Sequence, residues 1–134
     1  AARVAEVVEQ EWAQGLIPIP HFGPAGGTNF MSFQSLSEAI DGALNRGEAG
    51  KAYLVGDENL SFTAYFQLFF DAVSTDVKLE ERDIEHPLLP DVAIPQGRGN
   101  WVSFEPDPGD VELLGYRRRD VRNAVAEVVA QFRA

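Results

Sequence analysis

The sequence predicts an α/β domain on three observations. Short strand-like runs alternate with runs of helical period, turn or capping residues bound most of them, and 45% of the side chains are apolar. At 134 residues the chain is long enough to bury one sizeable core and short for a two-domain enzyme.

The elements follow in order. Val4, Val7, Val8 and Trp12 recur at helical spacing and Gly15 follows, which predicts an amphipathic helix over 3–14. "LIPIP" is expected as an edge or irregular strand, because each proline removes a ladder donor. "HFGPAGGTNF" is expected as a Gly- and Pro-dense loop leading into the strand-like "TNFMSF".

Ser35 and Glu38 have capping-box spacing, and Leu36, Ala39, Ile40, Ala43 and Leu44 carry a helical period to Gly47, predicting a helix over 36–46. "KAYLVG" alternates between turn formers and is expected as a strand. Ser61 then caps a helix bearing Phe62, Tyr65, Phe66, Phe69, Phe70 and Val73, a bulky face suited to a core or a protein interface.

"VKLEERD" is expected as one more strand, and "HPLLPDVAIPQGRG" as a proline-punctuated loop of the kind that lines binding sites. Beyond "WVSFEPDPGDVELLGY", Val121, Ala124, Val125, Val128, Val129 and Phe132 mark a terminal helix with Asp120 as its cap. There is no internal repeat.

The net charge of −10 would repel phosphate backbones and anionic lipid surfaces, so neither nucleic acid nor a membrane is an expected partner. Arg117, Arg118 and Arg119 form the one basic cluster and are expected to pair with acidic neighbours near the last helix. With no cysteine, disulfides, thiol nucleophiles and thiolate metal sites are excluded, which fits a cytoplasmic location. No run approaches the roughly 20 apolar residues that span a bilayer, and the N-terminus has no signal pattern. The chain opens inside an apolar periodicity without an initiator methionine, Met31 being its sole methionine, which predicts a piece of a longer protein.

Neither His21 nor His86 has a metal-ligand partner four residues on, so no metal is expected. Asp83, Glu85 and His86 read as a solvated acidic segment, and a stand-alone hydrolase built on either histidine lacks a paired nucleophile and base. "GPAGG" has the wrong spacing for a dinucleotide fingerprint. Arg98 in "QGRGNW" is the leading ligand-contact candidate, because a guanidinium binds phosphate or carboxylate bidentately and the nearby Trp101 indole can cover a ring.

In this order the segments resemble a known family. "TNFMSFQSLSEAIDGALNRGEAGKAYLVGDENLSFTAYFQLFFDAV" is similar to the region after the catalytic tyrosine of the extended short-chain dehydrogenase/reductases, the NAD-dependent epimerase/dehydratase family. Asn29, Phe30, Leu36, Ala39, the "GKAYLVGDENLSF" run and "ELLGY" at 112–116 carry the likeness, which extends from about residue 4 to 132. Where that family reads His-Val-Asp-Asp, this chain has Ser32, Phe33, Gln34 and Ser35, and its 83–101 loop is longer.

The resemblance implies the C-terminal part of a Rossmann-type enzyme, with late sheet strands and a small mixed α+β substrate lobe. All 134 residues would form one substrate-binding unit, the glycine-rich cofactor loop and the Tyr-x-x-x-Lys pair lying upstream and absent here. It further implies NAD or NADP held mainly by the Rossmann portion, and substrate contacts at His21, Asn29 and Arg98, beside Trp101. The implied partners are a small-molecule substrate, a nucleotide-sugar or a hydroxy or keto compound, together with a second copy or the Rossmann portion. On this reading the chain alone is inactive. The alternative is a non-catalytic protein-interaction or ligand-binding module derived from the same lobe.

Overall fold

The computed structural model describes residues 22–73 and 76–133. The expected helix at 3–14, the "LIPIP" segment and His21 lie outside the described residues. The described chain is mixed α/β, with four α-helices and two small sheets, one parallel and one antiparallel.

Strand β1 (Phe22–Pro24) and strand β4 (Glu80–Arg82) pair in parallel, with Phe22 opposite Glu80. The sequence predicted only a loop at 21–27. A proline at the end of an edge strand removes just one ladder donor, so it does not prevent the short pairing. Strand β2 (Gly27–Phe30) pairs antiparallel with β3 (Glu58–Ser61), placing Asn29 opposite Asn59.

Helix α1 (Phe33–Arg46) starts three residues before the expected position. Its cap is Ser32, whose hydroxyl accepts the Ser35 N–H at 3.0 Å. Gly47 ends it by donating its own N–H to Ala43. The predicted capping box does not form, because Glu38 is bonded to Arg117 instead.

The face that α1 buries is made of small residues, Ser35, Ala39 and Gly42, while Phe33, Ile40 and Leu44 are exposed. Small side chains let helix α3 (Pro108–Leu114) come close. A Cβ at Gly42 would collide with the Leu114 carbonyl, and Arg46 reaches the same turn to donate to the Leu113 and Leu114 carbonyls. Helix α3 has strong end signals: Asp107 accepts the Asp110 N–H, Pro108 fills the first turn, and Gly115 takes the left-handed conformation at φ 71°.

"KAYLVG", expected as a strand, joins no ladder among the described residues. Tyr53 and Val55 pack on the Ala39, Leu114 and Tyr116 cluster, whereas Leu54 points outward. Helix α2 (Phe62–Ala72) is capped as predicted, by the Ser61 hydroxyl accepting from Ala64. Its aromatic face buries Phe62 and stacks Tyr65 on Phe30 at 4.1 Å between ring centres. Helix α4 (Val121–Arg133) buries Val121, Val125 and Val129 and packs against α2. Among the described residues, no helix is long and apolar enough to cross a membrane.

Candidate functional site

The ends of β2, β3, α1 and α4 meet at a polar hub around Asp57. Its carboxylate side chain is fully buried and accepts the Arg119 N–H at 2.7 Å, the Asp120 N–H at 3.0 Å and the Arg118 Nε–H at 3.1 Å. Capturing two successive N–H groups in one carboxylate explains why Arg119 holds a positive φ of 60°, a conformation costly for a side chain with a Cβ. Ser32 donates its hydroxyl to Asp120 at 2.6 Å, and Ser35 donates to the Arg117 carbonyl at 2.8 Å, so the two helix starts are tied together. The expectation that the three arginines pair with acids is met for two side chains, Arg117 on Glu38 and Arg118 on Asp57 with Glu105 at 3.7 Å, while Arg119 reaches Asp57 through its backbone N–H.

Asn29 belongs to the same network. Its Nδ2 donates to Asn59 Oδ1 at 3.0 Å and to the Phe104 carbonyl at 3.4 Å, while its Oδ1 accepts the Asp57 N–H at 2.8 Å. Those bonds use both faces of the amide, so Asn29 positions the β2–β3 pair and the strand end at Asp57.

Arg98 and Trp101 stand three residues apart in the chain that passes β2. Trp101 bridges to Gly27 in parallel, the Gly27 N–H reaching the Asn100 carbonyl and the Val102 N–H reaching the Gly27 carbonyl. The indole rests where a Cβ on Gly27 would be, and half of the tryptophan remains exposed. Arg98 projects from the turn before it, a turn secured by the Gly99 N–H to the Ala25 carbonyl. Its Nε lies 3.4 Å from Asp83 and 3.7 Å from Asp91, distances at which the pairing is loose. A guanidinium with five donors can receive an anionic group, and an exposed indole can cover a ring.

The acidic segment differs from its expectation. Asp83 and Glu85 are exposed, but His86 is only 2% exposed and sits between Phe22 and Phe66, ring centres 4.9 and 5.3 Å away. Burial pushes the imidazole pKa below its ordinary value, opposed by the carbonyl of Phe22. Its charged neighbours in sequence hid that core role. An open concavity of about 630 Å³ elsewhere is bordered by Glu105, Asp107, Glu112 and Arg118, and it includes none of the predicted site residues.

Among the described residues, no group of three or more His, Cys, Asp or Glu side chains is placed to hold a metal ion. The described residues also do not fit a dinucleotide cradle: the Gly26–Gly27 turn joins two strands, whereas that cradle needs glycines between a strand and a helix N-terminus. Comparison with family models, curated proteins and solved structures finds no match to this chain.

Proposed function

We propose that this chain is the substrate-side portion of an NAD(P)-dependent extended short-chain dehydrogenase/reductase, epimerase or dehydratase. The observation that supports it most is the alternation at 52–55: Tyr53 and Val55 pack on the Ala39, Leu114 and Tyr116 cluster, while Ala52 and Leu54 are exposed. That is the side-chain pattern of a strand with one face on a core. The family resemblance calls for a strand at this place, in the parallel sheet of a Rossmann portion.

In this reading Arg98 orients an anionic group of the substrate and Trp101 forms a wall against its ring. A nucleotide-sugar or a hydroxy or keto compound suits that pair. The nicotinamide cofactor supplies hydride chemistry from residues outside this chain, where the acid/base tyrosine and its lysine also lie. The residues present here bind, orient and enclose.

Sequencing the source transcript upstream of the Ala1 codon tests this directly. An in-frame extension of roughly 150–200 residues, about one domain, is expected to carry a glycine-rich turn after a strand and a Tyr-x-x-x-Lys pair. A start codon immediately before Ala1 would overturn the reading. NAD(P)H-linked turnover by the purified 134-residue chain would also count against it.

A protein-interaction module is the second reading, favoured by the outward face of α1, where Phe33 is 84% and Leu44 82% exposed. A start codon before Ala1 together with a monodisperse monomer in light scattering would support that module.

A further inference from the structure

The segment from Asp83 to Pro95 is held to the body of the protein in an unusual way. Among the described residues its backbone bonds are local: Leu89 to His86, Ala93 to Pro90, Ile94 to Asp91 and Gly97 to Ile94. Two side chains enter the interior from it, Ile94 at 4% exposure and His86 at 2%. The His86 ring is wedged between Phe22 of β1 and Phe66 of α2, and its Nδ1 accepts the Leu88 N–H at 3.0 Å.

An acceptor Nδ1 carries no proton. Adding one sets two donors against each other in a buried site where, among the described residues, no carboxylate is bonded to the ring and the Phe22 carbonyl is its remaining acceptor. The charged groups around it are already engaged or directed elsewhere. On its own segment Glu85 accepts from the Asp91 N–H, and Asp83 and Asp91 face Arg98. On β4, Arg82 lies over the Phe22 ring and near Glu80; β1 has no charged residue; on α2, Asp71 is bonded to Gln67 and near Lys78.

We propose that His86 is a proton-operated latch: protonation of Nδ1 expels the ring from between Phe22 and Phe66 and releases residues 83–95. Release would also carry Asp83 and Asp91 away from Arg98, leaving its guanidinium open to an anion. The latch is independent of the substrate reading above; only the use made of the freed Arg98 rests on it.

The sign follows from linkage. The ring's pKa is lowered in the closed state and returns to an ordinary value near 6.5 when exposed. The closed state is therefore fully favoured above 6.5. As pH falls below that value towards the closed-state pKa, the open population rises about tenfold per pH unit, one proton being taken up per opening.

Nitrogen-15 NMR of the whole chain from pH 8 to 5 tests the latch, with the His86 ring and the backbone amides read together. The expected result is that the Leu88, Leu89 and Ala93 amides change and lose exchange protection with the midpoint of the His86 ring, while those of Ala39 and Gly42 in α1 hold. His86→Asn, whose side-chain oxygen can replace Nδ1 as the acceptor, should keep the loop closed and abolish the response over this range. Titration of the ring without movement at 88–93, the same loop response in His86→Asn, or simultaneous loss of α1 protection would each overturn the proposal.

Discussion

Asp57 and Arg98 both sit in clusters of opposite charge, yet they are held in contrasting ways. The Asp57 side chain is wholly buried, and three donors from Arg118, Arg119 and Asp120 reach it within 3.1 Å. Arg98 is a third exposed, and its nearest carboxylate oxygens lie at 3.4 and 3.7 Å. A buried carboxylate must be fully partnered, since every unmet bond costs free energy. A partly exposed guanidinium keeps donors for water or ligand. The first cluster fixes architecture, and the second pairs loosely with the segment that we propose is releasable.

The sharpest way to break the comparison is to remove Asp57. Asp57→Ala orphans the Arg119 and Asp120 N–H groups at the start of α4 and leaves Arg119 in its left-handed conformation without the carboxylate that favours it. We expect a loss of about 3–5 kcal/mol of global stability, read as a lowered urea midpoint with every probe moving together. A loss under about 1 kcal/mol would mean the hub is no stronger than a surface pair.

Truncation in the 83–101 loop should behave otherwise. Ile94→Ala removes the apolar anchor of the segment. A surface loop can collapse around the gap, so the expected cost is near the low end of core truncations, about 2 kcal/mol. It should appear first as faster hydrogen exchange at residues 88–100, ahead of any change in α1 or α4. Uniform destabilisation across all helices would show that the loop and hub are one cooperative unit.

These contrasts also mark where the sequence was readable. Helix α2 was legible because its cap formed where expected, at Ser61, and α4 because its period matches the burial of Val121, Val125 and Val129. For α1 the same logic misplaced the start. Two serines three residues apart both suit a cap, and only the distant Asp120 and Arg117 decide between them, by binding Ser32 and Ser35 respectively. Its apolar period also suggested a Leu and Ile face towards the core, whereas the tight approach of α3 selects Ser35, Ala39 and Gly42.

The "KAYLVG" alternation predicted a strand, but no ladder forms there among the described residues, since alternation carries no information about a pairing partner. The strand at Phe22–Pro24 was hidden by its glycine and proline, and it exists because Glu80–Arg82 pairs with it. Among the candidate residues, Arg98 and Trp101 were visible through their glycine-rich context. The internal role of Asn29 was not, because its partners Asn59, Phe104 and Asp57 come from remote parts of the chain. His86 was masked in the same way, its acidic neighbours in sequence pointing to solvent and its phenyl neighbours being distant.

The smallest expected effect sharpens the comparison within one junction. The α1 to α4 connection is crossed by buried links, Ser32 to Asp120, and by an exposed one, Glu38 to Arg117. The guanidinium of Arg117, with help from its backbone N–H, holds the Glu38 carboxyl down at about 2. A lowered folded-state pKa means that this link contributes in full above the ordinary value of 4.5 and fades as pH falls from there through about 2. Carbon-13 titration of the Glu38 carboxyl should give that low midpoint, and Arg117→Ala should return it towards 4.5. Because the pair is solvated, 1 M salt, with a Debye length of about 3 Å, should erode most of its contribution to stability. The Asp57 hub, shielded from ions, should keep its contribution under the same conditions. A Glu38 effect on stability that resists salt would show instead that the exposed link acts through its bidentate geometry rather than its charge.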